Sequence, residues 1–193
     1  MEYGAKHIRW APIAAEPAKV LPTYGPAVTL GELNQVADNP SYVEAKAAGD
    51  NNATARHVKK FQQATVDVTV LDILNEVATN IFGAKIDETP AKDLHFNISD
   101  KPPYGGAAFY TENLMAGNQV KYQGIFYPKM KAAMQGKTYD TTGDSITLAN
   151  SKVQFTAIAC NNGDWKVESP FFDTEAEAET WVDTKLPTAG SAG

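Results

Sequence analysis

At 193 residues and a net charge of −6, the chain can bury roughly 70% of its unfolded surface around one core. It lacks the basic stripe of a dedicated nucleic-acid binder. Its one cysteine, Cys160, excludes an internal disulfide. No apolar run approaches the roughly 20 residues that cross a bilayer, so membrane insertion is not expected. The first ten residues carry Lys6, His7 and Arg9 and no apolar core, unlike a secretion signal. The expectation is synthesis in a reducing cytosol.

Residues 1–30 are punctuated by Pro12, Pro17, Pro22 and Pro26. Each proline removes a donor and clashes one turn back, which disfavours a helix. Extended pieces over 6–10 and 27–30 fit between them, the second leading into a strand that reaches Val36. Residues 38–56 carry the weakest pattern. A short strand over 41–45 fits, and the remainder, with Gly49, Asp50, Asn51 and Asn52, reads as loop. A loop of that length is either a solvated surface feature or a segment ordered only against a partner.

Residues 64–70 alternate strictly, with Val66, Val68 and Val70 on one face and Asp67 and Thr69 on the other, which predicts a half-buried strand. The period then changes: Leu71, Leu74, Ala78 and Ile81, joined by Val77, recur at helical spacing. Thr69 or Asp72 caps the start, Gly83 stops the helix, and about three turns result. Residues 87–100 read as connector. Residues 101–130 form two extended runs around the turn Met115-Ala116-Gly117-Asn118, a long hairpin rich in aromatics, Gly and Ala. Residues 131–142 read as loop, 145–148 and 153–159 as strands, and Asn161-Asn162-Gly163-Asp164 as a tight turn into a strand over 165–168. Thr174 and Glu177 make a capping box for a C-terminal helix with Ala178, Trp181 and Val182 on its apolar stripe. Pro187 ends it, and residues 188–193 form a small-residue tail.

No catalytic pattern emerges. His7, His57 and His95 lie far apart without metal-ligand spacing. There is no nucleophile elbow, phosphate loop or cysteine pair. Cys160 ends a strand-like run and reads as a small buried hydrophobe. Neither a catalytic residue, nor a cofactor, nor a metal is expected.

The run Pro102-Pro103-Tyr104-Gly105, the hairpin, and then Lys121, Tyr122, Phe126, Tyr127, Pro128 and Lys129 resemble the major tail tube proteins of long-tailed phages with non-contractile tails. The likeness extends in order through residues 39–43, the strand-to-helix step at 65–83, the 143–146 strand start, the 162–166 turn and the helix around Trp181. The resemblance implies a mainly β fold with α: a β-sandwich or half-barrel over residues 1–187, with a long hairpin, one flanking helix and a C-terminal helix. It implies six copies closing into rings that stack as a tube. The implied partners are other copies of itself, a tape-measure protein in the lumen, and tail terminator and distal tail proteins, with transient passage of DNA. The implied location is the virion, after assembly in the host cytoplasm. Catalysis and cofactors are absent from that family.

Within this frame the 38–56 segment is the candidate ring-stacking loop, through Asn39, Tyr42, Lys46, Asp50, Asn51, Asn52 and Arg56. The 101–130 hairpin is the candidate inter-subunit element, through Tyr104, Phe109, Tyr110, Tyr122, Phe126 and Tyr127, because a long hairpin presents open edges that a neighbour can pair. An acidic balance lets DNA slide past a channel wall instead of adhering. The alternatives are the tube protein of a phage-derived bacteriocin or secretion machine, and a β-sandwich adhesion or carbohydrate-binding module.

Overall fold

The structure, a computed structural model, describes residues 1–50, 52–88, 90–137 and 150–188. Long antiparallel strands dominate. In chain order they are β1 (Glu2–Ala15), β2 (Thr23–Tyr24), β3 (Val28–Thr29), β4 (Leu33–Gly49) and β5 (Asn52–Val70). Helix α1 (Asn75–Phe82) follows, then β6 (Lys85–Ile86), β7 (Leu94–His95), β8 (Tyr104–Leu114), a single 3-10 turn (Ala116–Asn118), β9 (Val120–Met134), β10 (Ser151–Ala157), β11 (Val167–Glu168) and helix α2 (Glu175–Lys185). The chain is mainly β with two helices, and no helix among the described residues is long and apolar enough to cross a membrane.

One sheet runs in the order β2-β1-β8-β9-β10-β5-β4, with β3 on β1 and β11 on β9; β6 and β7 pair separately. Strands β1 and β4 stand near opposite ends of that order, yet they touch. The sheet therefore curls on itself, as right-handed twist favours, and of the two forms expected it is a half-barrel and not two stacked sheets. Its concave face holds Ile8, Trp10, Val66, Val68, Val70, Phe109, Tyr127 and Phe155, and α1 contributes Val77, Ala78, Ile81 and Phe82 to that cluster. The opposite face holds Ala11, Ala108, Tyr110 and Phe126 under Ala178 and Val182 of α2 and Leu186 just beyond it.

Strands β8 and β9 are thus covered on both sides. Phe109 and Tyr127 point one way, Tyr110 and Phe126 the other, and all four are buried. That is why this stretch shows a continuous aromatic run and not the apolar–polar alternation of a half-buried strand. Gly124 on β9 meets the ring of Trp181, so a side chain there has no space.

Where the sequence pattern was strict, the structure follows it. Ala64, Val66, Val68 and Val70 are buried on alternate positions. The capping box forms: the Thr174 N–H donates to Glu177 Oε2 at 3.0 Å, and the Glu177 N–H donates back to Thr174 Oγ1. The turn at 161–164 is tight, with Gly163 at φ 96° and its N–H donating to the Cys160 carbonyl at 2.8 Å. Cys160 is buried. The strand after the turn is shorter than expected, Val167–Glu168, and lies on β9.

Elsewhere the structure departs from the pattern. Helix α1 starts at Asn75 behind an extended Leu74, without a side-chain cap, and spans 8 residues instead of about three turns. The Leu71 N–H is held by the Glu32 carbonyl at 2.9 Å. That bond keeps the chain extended past the expected start, so neither Thr69 nor Asp72 caps it. Gly83 does stop the helix, at φ 71°. Residues 131–134 belong to β9 and not to a loop, since β10 pairs with them. The 87–100 connector contains β7, which pairs back on β6. Thr188 forms a bridge with Ala27, while the expected strand at 145–148 and residues 189–193 lie outside the described residues.

Charged contacts pin α2 to the sheet. The Tyr110 hydroxyl donates to Glu175 at 2.5 Å and Lys6 Nζ donates to it at 3.0 Å, while Asp183 takes Arg9 at 3.1 Å and His7 at 3.0 Å. The Tyr110 hydroxyl first, and Lys6 second, hold the Glu175 carboxyl below its ordinary pKa. A carboxylate depressed in the folded state stabilises above its unfolded pKa, about 4.3 for Glu. That contribution is lost as pH falls through the lower folded value. Glu175→Gln is therefore expected to lower urea stability at pH 7 by under about 1 kcal/mol, the range of partly exposed pairs. The gap from wild type should narrow steadily as the pH is taken below 4. A gap undiminished in acid would show that the contact is not ionic.

Candidate assembly interface

Strands β4 and β5 have 17 and 19 residues, far beyond the common five or six. Their lower halves belong to the body. Val36 pairs with Val68, Asp38 with Val66 and Pro40 with Ala64. At the root, Asp38 accepts from the Tyr127 hydroxyl at 2.7 Å and from Lys166 Nζ at 3.0 Å. Burial pushes the Asp38 carboxyl up, but the hydrogen bonds from Tyr127 and Lys166 outweigh it and hold it below the usual range.

Beyond Pro40 the pair leaves the body as an arm. Residues 39–48 and 56–60 are exposed on both faces. From Pro40 to Gly49 the extended chain covers roughly 30 Å at about 3.3 Å per residue. A β-bulge marks the departure: Ser41 pairs with Gln63, but Tyr42 pairs with Phe61, leaving Gln62 as one extra residue on β5. A single inserted residue reverses which side chains of a strand share a face. Below the bulge the even positions of β5 point inward. Above it the odd positions do.

The two faces of the arm consequently differ. One carries Tyr42, Glu44 and Lys46 from β4 with Phe61, Lys59 and His57 from β5. This face is closed on itself. Phe61 stacks on Trp165 with ring centres 4.5 Å apart, Tyr42 meets Phe61 edge-on, and Lys59 Nζ sits 4.6 Å from the centre of the Tyr42 ring. The Glu44 carboxylate lies 3.3 Å from Lys59, 3.5 Å from His57 and 3.9 Å from Lys46. Lys59, then His57, hold its pKa down.

The other face carries Val43, Ala45 and Ala47 opposite Lys60, Val58 and Arg56. Val43 is 55% exposed and Val58 64%. No carboxylate among the described residues answers Arg56 or Lys60. The outer edge of β4, last in the strand order, pairs with no further strand among the described residues.

The residues singled out from sequence fall in three places. Asn39 lies on β4 opposite Thr65, and Tyr42 and Lys46 lie on the closed face. Arg56 lies on the open face. Asp50 turns at the tip with φ 47°, Asn52 opens β5, and Asn51 lies outside the described residues. The strand expected over 41–45 is present as part of β4, and the loop expected for the rest of 38–56 is corrected: on either side of the tip it is paired strand. Ala, Lys and Asn are poor strand formers, and an element with water on both faces need not alternate, so the usual signal was weak. The sequence reasoning missed Val43, Ala45, Val58 and Lys60. The faint alternation of Val43-Glu44-Ala45-Lys46-Ala47 was the available sign.

The 101–130 hairpin is also corrected as the open-edged element. Strand β1 takes one edge of β8, and β10 and β11 take the free edge of β9. Phe109, Tyr110, Phe126 and Tyr127 are consumed by the chain's own core. Tyr122 is half-buried beside Tyr110. Tyr104 stays 45% exposed, with Lys129 and Lys131 near its ring.

Two other features lie off the arm. A gap of about 460 Å³ opens where β1 faces β4, walled by Glu2, Gly4, Asn34, Val36, Asp38 and Lys166 among others. Asp87, Asp93 and His95 gather ligand atoms within 4.8 Å on the β6–β7 pair, all three exposed. His95 is engaged with Asp87 at 3.1 Å. No family model matches the sequence, and no curated protein matches it.

Proposed function

We propose that the chain is a structural subunit that assembles with copies of itself into rings, six to a ring, stacked as the tail tube of a long-tailed phage. The arm carries this reading. A two-stranded hairpin exposed on both faces is marginal by itself, and a long unpaired edge strand is a liability in a lone molecule. A neighbouring copy resolves both, because head-to-tail contacts close into rings and extend into tubes. The ordered resemblance to tail tube proteins supplies the ring and the tube. The net charge of −6 suits a conduit through which DNA moves without adhering. The tape-measure protein, tail terminator and distal tail proteins are the partners that follow from this reading.

Negative-stain imaging of the purified chain at rising concentration tests it. Rings or tubes are expected. Compact single particles at every concentration, above all ones that bind glycans, overturn it in favour of a binding module. Tubes found with bacteriocin or secretion genes alongside would keep the architecture and reassign the machine.

A further inference from the structure

The arm's open face and the outward side of α2 are complementary. We propose that the Val43–Val58 face of the arm docks on the α2 groove of another copy, with Val58 set beside the exposed Thr180 of the groove wall. This rests on the assembly reading above and names the surface that receives the arm.

The groove encloses about 450 Å³ and is walled by Phe172, Ala176, Glu177, Thr180, Trp181 and Thr184. Its walls are mainly apolar, with the partly exposed rings of Phe172 and Trp181. The arm brings a matching strip, Val43, Ala45, Ala47 and Val58.

The unpaired charges of the two surfaces are opposite in sign. Most acids around α2 are already answered: Asp173 by Lys121, Glu175 by Lys6 and Asp183 by Arg9. Glu177 and Glu179 meet no lysine or arginine among the described residues. Glu177 is part of the groove wall, and its carboxylate is held in place by the capping box. Glu179 is turned toward the Tyr110 hydroxyl, 3.5 Å away, and is not part of the groove wall. On the arm, Arg56 and Lys60 are the cations without an anion, about 13 Å apart along β5. Two unanswered cations flanking an apolar strip meet the unanswered Glu177 carboxylate on the wall of an apolar groove, opposite charge of the kind that steers and registers an interface. The same chain's groove is not the natural receiver. Helix α2 packs on β1, β8 and β9, whereas the arm extends strands at the far end of the sheet order.

The test mixes two singly substituted chains, Val58→Cys and Thr180→Cys, with a short bis-maleimide. Both positions are exposed, and the native Cys160 is buried. A heterodimer joined between positions 58 and 180 is expected, at least tenfold above the yield from Val58→Cys mixed with Ile98→Cys. Adding Arg56→Glu and Lys60→Glu to the first chain is expected to bring the yield down to that control. Rings or tubes without a 58–180 link overturn the docking and leave the assembly reading standing. A 58–180 link in preparations that never form rings or tubes sustains the docking and overturns the tube. A link that survives the charge reversal in full overturns the pairing of Arg56 and Lys60 with Glu177.

Discussion

Replacing residues 45–58 with Asn-Gly is expected to leave a folded subunit that builds no tubes. The cut closes the arm on the Glu44–Lys59 pair with a two-residue turn of the kind hairpins favour. It spares Tyr42 and Phe61, and so keeps the stack on Trp165. Residues 45–48 and 56–58 are exposed, so their loss should change unfolding free energy by no more than about 1 kcal/mol. Shortening the connection also lowers loop-closure entropy slightly. Circular dichroism and the urea midpoint should therefore match the parent, while electron micrographs change from tubes to isolated subunits or single rings. Normal tubes from this variant would remove the arm from the stacking contact.

Trp10→Ala should do the reverse, damaging the subunit and with it everything built from it. The Trp10 side chain is fully buried in the concave cluster. It lies directly over Gly105, where a β-carbon would strike the indole and the Ala11 carbonyl. The ring and the glycine form one fitted contact between β1 and β8. Removing a buried tryptophan costs about 3–5 kcal/mol. One term reduces this: the indole Nε1–H is buried with no acceptor among the described residues, and an unsatisfied donor is a penalty the alanine variant escapes. The expected loss is near the lower end, about 3 kcal/mol, a large part of the 5–15 kcal/mol typical of a domain. Urea denaturation reads it directly. A loss below about 1 kcal/mol would mean that the curled sheet does not depend on this contact.

These two outcomes follow from different kinds of information in the chain. The body was readable because water lies on one side of its elements. Val66, Val68 and Val70 alternate since only one face of β5 is buried there, and Thr174 with Glu177 announces a helix start through local bonding. The aromatic hairpin was readable as a hairpin, but the partners of its edges were not. Strand β1 reaches β8 from a hundred residues away, and pairing at that distance leaves no local trace. Residues 38–56, apart from the strand expected over 41–45, were misread for the opposite reason. With solvent on both faces, the segment has nothing to impose a period, and its pairing rests on backbone bonds that every residue type offers. The start of α1 was misplaced because the Glu32–Leu71 bond, a contact between segments, overrides the local helical spacing.

The extra residue at Gln62 has an implication for how such chains can vary. Deleting Gln62 would make Ser41–Gln63 and Tyr42–Phe61 consecutive ordinary pairs, with Tyr42 and Phe61 still on their common face. The bend and added twist that a bulge gives would go, and the faces of the arm would stay as they are. Among chains that share this architecture, presence or absence of that one residue should therefore alter the angle at which the arm leaves the body, and leave the order of charged and aliphatic positions along it untouched.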